Sequence, residues 1–222
     1  MGAGVAFVCA ANVCRSPVME VAFRQTVRDA TAWDIVSAGT QVTRADRMCA
    51  VAARHVGTTA VGATFAAGHR SRAATPDLLR SRDIVLGATV AERRRLAVLV
   101  PALRERTFTV REAVLLGAEE ATIDEIAAAR AVHGADLSGL ALYAAVLDAR
   151  RGVVPMPEPS RGILPWRAGP DPRDITDRHT SRLARHHGAI RLAESSAQEF
   201  AQQAQRFLDM PGNRRGRRPS HA

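Results

Sequence analysis

VAFVCAANVCRSP, running from Val5 to Pro17, divides into an apolar run (Val5 to Val8), a loop (Cys9 to Arg15) and a helix opening at Ser16–Pro17. The run is short and β-branched enough to read as a buried strand. Five residues separate Cys9 from Arg15, and a hydroxyl residue follows at once, giving Cys-(x)5-Arg-Ser. A loop of this length between a strand and a helix can curl until its backbone N–H groups converge, forming an anion nest at the helix N-terminus. A cysteine at the start of such a loop sits in a positive field that favours the thiolate. An arginine at the end offers a planar fork matched to two phosphate oxygens. The pattern describes a nucleophile beneath a bound phosphoryl group.

With Cys9, Asn12, Cys14, Arg15, Ser16 and Pro17 all in place after an apolar N-terminal strand, the stretch resembles the low-molecular-weight protein tyrosine phosphatases. Ala11 stands where that family often carries glycine. The resemblance implies a doubly wound α/β fold, a four-stranded parallel sheet with helices on both faces and the site at the carboxyl ends of its strands. It implies phosphate bound by residues Ala10, Ala11, Asn12, Val13, Cys14, Arg15 and Ser16, with Cys9 as nucleophile and Ser16 hydrogen-bonded to its sulfur. Ser37, in the segment Trp33 to Thr40, is then expected to support the loop through Asn12, or else to be a simple turn residue. His69 is expected to hold the loop by a hydrogen bond. No metal or organic cofactor is implied.

The remaining chain reads as alternating elements. Helices are expected over Ser16 to Ala30, Ala45 to Val56 (with Cys49 on it as a small core residue), from Thr75–Pro76, and over Ala91 to Val100. Strands are expected at Trp33 to Thr40, within Thr64 to Arg72, and at Asp83 to Leu86, with a short extended piece at Arg106 to Val110 before a helix at Arg111 to Leu116. Strands and helices alternating over short connections argue for a parallel sheet covered on both faces. Residues 1–210 form one domain in this reading. Within it, 117–170 is an insertion of two helices (Ile123 to His133, Leu137 to Arg150) and a Pro/Gly-rich run, placed near the mouth of the site. A final helix, Ser181 to Met210, turns Leu183, Ile190, Leu192, Phe200 and Phe207 toward the sheet.

Dephosphorylation through cysteine needs an acid for the leaving oxygen and a base for the hydrolytic water. The resembled family supplies both from one aspartate before the last helix. Two candidates stand there: Asp171, followed by Pro172, and Asp177, at the end of Asp174-Ile175-Thr176-Asp177. Asp177 fits the phrasing better. Neither is followed by the family's usual aromatic pair, which weakens the case for phosphotyrosine in particular.

The 222 residues carry a net charge of +9, and all 31 basic residues other than histidine are arginine. Abundant arginine beside abundant alanine looks like codon bias and is poor support for a function. The segment 211–222, with Arg214, Arg215, Arg217 and Arg218, reads as a disordered basic tail. It lacks the interleaved aromatics of a nucleic-acid module. No apolar run approaches the ~20 residues of a membrane span, and no secretory leader is evident. Three cysteines suit a reducing cytoplasm better than a disulfide scaffold. His179, His186 and His187 read as a solvated helix surface, with no spacing that completes a metal site. The expected partner is a phosphorylated protein or small phosphomonoester. Two other readings stay open: a phosphate- or phosphopeptide-binding regulator without turnover, and a thiol-dependent arsenate reductase, which would need more cysteines than Cys49 to relay a disulfide.

Overall fold

The structure, a computed structural model, describes residues 3–158, 169–177, 183–211 and 213. Four parallel strands form the sheet: β1 (Ala3–Cys9), β2 (Trp33–Gly39), β3 (Ile84–Gly87) and β4 (Thr107–Thr109), in the spatial order β2-β1-β3-β4. Between and after them run α1 (Arg15–Thr26), α2 (Ala50–Val56), α3 (Ala60–Gly68), α4 (Pro76–Arg80), α5 (Val90–Leu99), α6 (Val110–Leu116), α7 (Ile123–His133), α8 (Gly139–Ala149) and α9 (Leu183–Asp209). Threonine caps five of these helices: Thr59, Thr75, Thr89, Thr109 and Thr122 each accept an N–H from the first turn through the side chain.

Side chains alternate across the central strand, so β1 feeds two cores. Val5, Phe7 and Cys9 face the larger one, with α1, α6, α8 and α9, whereas Ala6 and Val8 face a smaller one with Leu79, Leu96 and Leu103. Phe23 on α1 joins the layers of the larger core, its ring centroid 5.6 Å from Phe7 and 6.1 Å from Phe200 on α9. The sheet face that carries Cys9 is therefore the face covered by the final helix. No helix among the described residues is long and apolar enough to cross a membrane.

Two expectations need correction. The strand expected within Thr64 to Arg72 is absent: the chain there forms α3, and only an isolated bridge, Ala73 to Gly39, touches the sheet. Thr59 caps Gly62 N–H, and the alanine-rich segment that follows has better helix than strand propensity. The fourth strand is instead the short piece at Thr107–Thr109, paired with β3. Cys49 lies not within α2 but at its N-cap, half-buried. Of the 117–170 segment, α8 is an integral part of the larger core, with Leu140, Leu142, Val146 and Leu147 fully buried. Leu183, on which one core expectation fell, and the segments 159–168, 178–182 and 214–222 lie outside the residues whose side chains are described.

Arg150, buried just after α8, binds this helix layer together. Its Nε and one terminal nitrogen clasp Glu125 at 2.7 and 2.9 Å, and its other bonds reach the carbonyls of Leu116, Glu119 and Glu120. All five guanidinium donors are thus used. The hydrogen bond from Arg150 holds the Glu125 carboxyl down to about 2, against 4.5 ordinarily. A carboxyl lowered on folding stabilises the protein fully above its unfolded value and loses that contribution as pH falls through the folded one. Arg150→Met is expected to cost about 2–4 kcal/mol at neutral pH. The difference from wild type should shrink between about pH 4.5 and 2, as read by urea unfolding at several pH values. A pH-independent difference would contradict the assignment.

Gly39, at the end of β2, has no room for a side chain. A Cβ there would lie 2.5 Å from Ala10 O, 2.6 Å from a Val42 methyl and 2.9 Å from Asn12 N. Two of those atoms are backbone and cannot rotate away. Gly39→Ala is expected to lower stability by about 1–3 kcal/mol in equilibrium unfolding, and an unchanged midpoint would show that the loop yields freely.

Candidate active site

The loop from Cys9 to Arg15 is shaped from outside, through its carbonyls. Cys9 O accepts from Thr40 N and Ala10 O from Gln41 N, both at 2.9 Å; Val13 O accepts from Cys49 N at 2.8 Å. Asn12 O accepts from His69 Nε2, also at 2.8 Å, so that nitrogen carries the ring proton. In a trans peptide the N–H points opposite to the carbonyl. Tying these four carbonyls outward therefore turns the N–H groups of Ala10, Ala11, Val13 and Cys14 toward the loop's interior, the arrangement of an anion nest. Ala11 is exposed at the crest, while Cys9 is only 2 % exposed at the base.

Asn12 is the hinge of the loop. Its φ of 55° is left-handed, a conformation asparagine tolerates better than most residues. Its fully buried amide donates to Ser16 Oγ at 2.9 Å and Ser37 Oγ at 3.0 Å and accepts Arg72 N–H at 3.0 Å. Its own N–H points at Cys9 Sγ, 3.3 Å away. Ser16 Oγ lies 3.1 Å from the same sulfur and 3.3 Å from Ala38 O. Ser16 has a single proton, and since it already accepts from Asn12, that proton goes to whichever acceptor is stronger. A thiolate at Cys9 takes it.

Arg15 is 4 % exposed, and its charge is met from two directions. Its terminal nitrogens donate to Ile175 O at 3.0 Å and to Asp177 Oδ2 at 2.8 Å, while Glu92 Oε1 lies 3.8 Å away. Glu92 is itself buried and takes the Thr89 hydroxyl proton while its N–H binds the Thr89 oxygen. The segment bearing Asp177 is docked on the sheet. Asp174 accepts Val90 N–H at 2.8 Å, Ile175 N–H reaches Ala88 O at 2.8 Å, and the Ile175 side chain is fully buried. Burial, chiefly, raises the Asp174 carboxyl above its ordinary value.

Cys9, Asn12, Arg15, Ser16, Ser37, His69 and Asp177 are thus brought into one constellation. Asp171 is turned elsewhere: Arg173 grips both of its oxygens at 2.9 and 2.7 Å and holds its carboxyl below the usual range. Sequence reasoning missed Glu92, Arg72 and the docking role of Asp174. The Thr89-x-x-Glu92 spacing is a capping signal that marks the helix start, but nothing in it points at Arg15. Cys14 faces away from the nest toward Cys49 and His186, and its thiol is held far above the ordinary range, first by the Cys49 hydrogen bond and then by burial.

No curated protein matches the chain in sequence. The structure is similar to a YwlE mutant from Bacillus subtilis at 18 % identity and TM-score 0.57, over 92 % of this chain and 99 % of that one. It is similar to the tyrosine phosphatase Wzb from Escherichia coli K30, in complex with phosphate, at 17 % identity and TM-score 0.55, over 91 % and 99 % of the two chains. It is also similar to the YwlE arginine phosphatase from Geobacillus stearothermophilus, at 16 % identity and TM-score 0.57, over 93 % and 95 %. At these identities the likeness concerns the fold. The sequence model for low molecular weight phosphotyrosine protein phosphatase matches residues 4–125, from β1 into α7, and so takes in the whole phosphate loop, Ser37, His69 and Glu92. The chain belongs to the low molecular weight phosphotyrosine protein phosphatase family, and is a phosphatase-type hydrolase.

Proposed function

We propose that this chain hydrolyses phosphorylated protein side chains, phosphotyrosine first among them, through a covalent phosphocysteine at Cys9. The observation that carries the reading is the convergence of Asn12 N–H (3.3 Å) and Ser16 Oγ (3.1 Å) on the Cys9 sulfur, at the base of a loop whose arginine meets Asp177 at 2.8 Å. In the first step Cys9 Sγ attacks phosphorus while the bond to the leaving oxygen breaks, and Asp177 gives that oxygen its proton. The N–H groups of the loop and the Arg15 guanidinium hold the equatorial oxygens as charge gathers on them. In the second step Asp177, now a carboxylate, takes a proton from water as the water oxygen displaces Cys9 from phosphorus. Ser16 stabilises the departing thiolate. One residue thus serves as acid and then as base.

Arg15 plays its part already oriented. Ile175 O at one terminal nitrogen and Asp177 and Glu92 at the other fix the plane of its fork. A phosphoryl group entering the loop competes with Asp177 for the same guanidinium edge, which frees the carboxyl for the leaving oxygen. Glu92 touches no substrate in this account; it is a positioning residue.

The assignment separates the two aspartates. With a phosphotyrosyl peptide, Asp177→Asn is expected to lower kcat by about 10²–10⁴ with a smaller change in KM. Asp171→Asn should stay within a few-fold of wild type, and Cys9→Ser should be inactive. The phosphotyrosyl peptide should be preferred over a phosphoseryl one, with a phosphoarginyl peptide as the third arm. A wild type that binds vanadate without turnover would make the protein a phosphate-binding regulator. A steep loss in Asp171→Asn alone would move the acid.

A further inference from the structure

We propose that Cys14, Cys49 and His186 form a zinc site on the back of the phosphate loop. The three ligands come from distant parts of the chain: Cys14 immediately before α1, Cys49 at the N-cap of α2, and His186 in the first part of α9. Their donor atoms all lie within 4.8 Å of one another. Tetrahedral zinc, with bonds of about 2.3 Å to sulfur and about 2.0–2.1 Å to nitrogen, sets sulfur and nitrogen about 3.5 Å apart. His186 Nε2 lies 3.5 Å from Cys14 Sγ and 3.7 Å from Cys49 Sγ, close to two edges of that tetrahedron. Two thiolates and an imidazole are a donor set suited to zinc and unsuited to magnesium or calcium.

Cys49 is already in place through bonds that a metal would leave intact. Cys49 N–H donates to Val13 O at 2.8 Å, which fixes the separation of the two cysteines, and Ala52 N–H donates to Cys49 Sγ at 3.4 Å. Cys14 and His186 are 6 % and 5 % exposed, and Cys49 is half-buried, so solvent reaches the cluster on the Cys49 side. Three protein ligands and a water complete the coordination of an open zinc site. Binding releases the thiol protons and joins Zn²⁺ to two thiolates with no change of oxidation state. The ion then ties the phosphate loop to α2 and α9, so the loop gains a clamp separate from Asn12.

The test is a zinc titration of the reduced, metal-free protein against a chromophoric chelator, with Co²⁺ as a spectroscopic probe. One Zn²⁺ per chain and a thiolate-to-cobalt charge-transfer band are expected. Cys49→Ser and His186→Gln, each near in size to the native residue, should weaken binding at least about tenfold. Cys9→Ser should leave the affinity within about twofold, because the nucleophile is not a ligand; zinc lost with Cys9→Ser but retained with Cys49→Ser would place the metal on the catalytic sulfur and overturn the proposal. So would the absence of stoichiometric binding, or a Cys14–Cys49 disulfide found by mass spectrometry in protein that takes up no metal.

Discussion

The left-handed turn at Asn12 is the constraint on which the site depends. A loop that must direct several N–H groups to one point has to reverse its backbone somewhere, and the reversal costs any side chain that cannot be compensated there. Asn12 is compensated completely: its amide bridges the start of α1 through Ser16 and the end of β2 through Ser37, and its oxygen receives the backbone of Arg72. His69 holds its carbonyl from a fourth segment. Through Asn12 the loop is therefore shaped by parts of the chain up to 60 residues away, and is ready before a phosphate arrives.

The second constraint is the burial of Arg15. A guanidinium that is 4 % exposed is tolerated only among acceptors, and two of the three that meet it, Ile175 O and Asp177, come from the segment before α9. Fold and chemistry meet there. Asp174 and Ile175 dock that segment on the carboxyl end of β3, and three residues after the docking point Asp177 stands at the loop's arginine. The phrase Asp-Ile-Thr-Asp thus divides its work between anchoring and presenting. Asp171, absorbed in an ion pair with Arg173, is left to the surface of the same turn.

Much of this was legible in the sequence because the decisive pattern is local. Strand, loop and helix from Val5 to Pro17 lie within a short stretch, and the spacing of Cys9, Arg15 and Ser16 states its own chemistry. What the sequence hid is long-range. Glu92 reaches Arg15 across 77 positions, read from their numbers, and its spacing to Thr89 suggests only a cap. Cys14, Cys49 and His186 have none of the short spacings by which metal sites are read, and only the packing of α9 on α1 and α2 brings them together. The misplaced strand has a similar cause. Thr64 and Phe65 look β-prone in isolation, but the Thr59 cap and the alanines around them commit the segment to a helix, and the sheet takes three residues from Thr107–Thr109 instead.

On the proposed mechanism Cys9 itself is phosphorylated in the course of turnover. The most direct measurement is rapid-quench mass spectrometry of Asp177→Ala after brief exposure to p-nitrophenyl phosphate, whose leaving oxygen departs without a proton, since removing the residue that activates water then lets the intermediate accumulate. One phosphoryl group is expected on the peptide that contains Cys9, and none in the same experiment with Cys9→Ser. Release of phosphate with Cys9 unmodified at every quench time would contradict it.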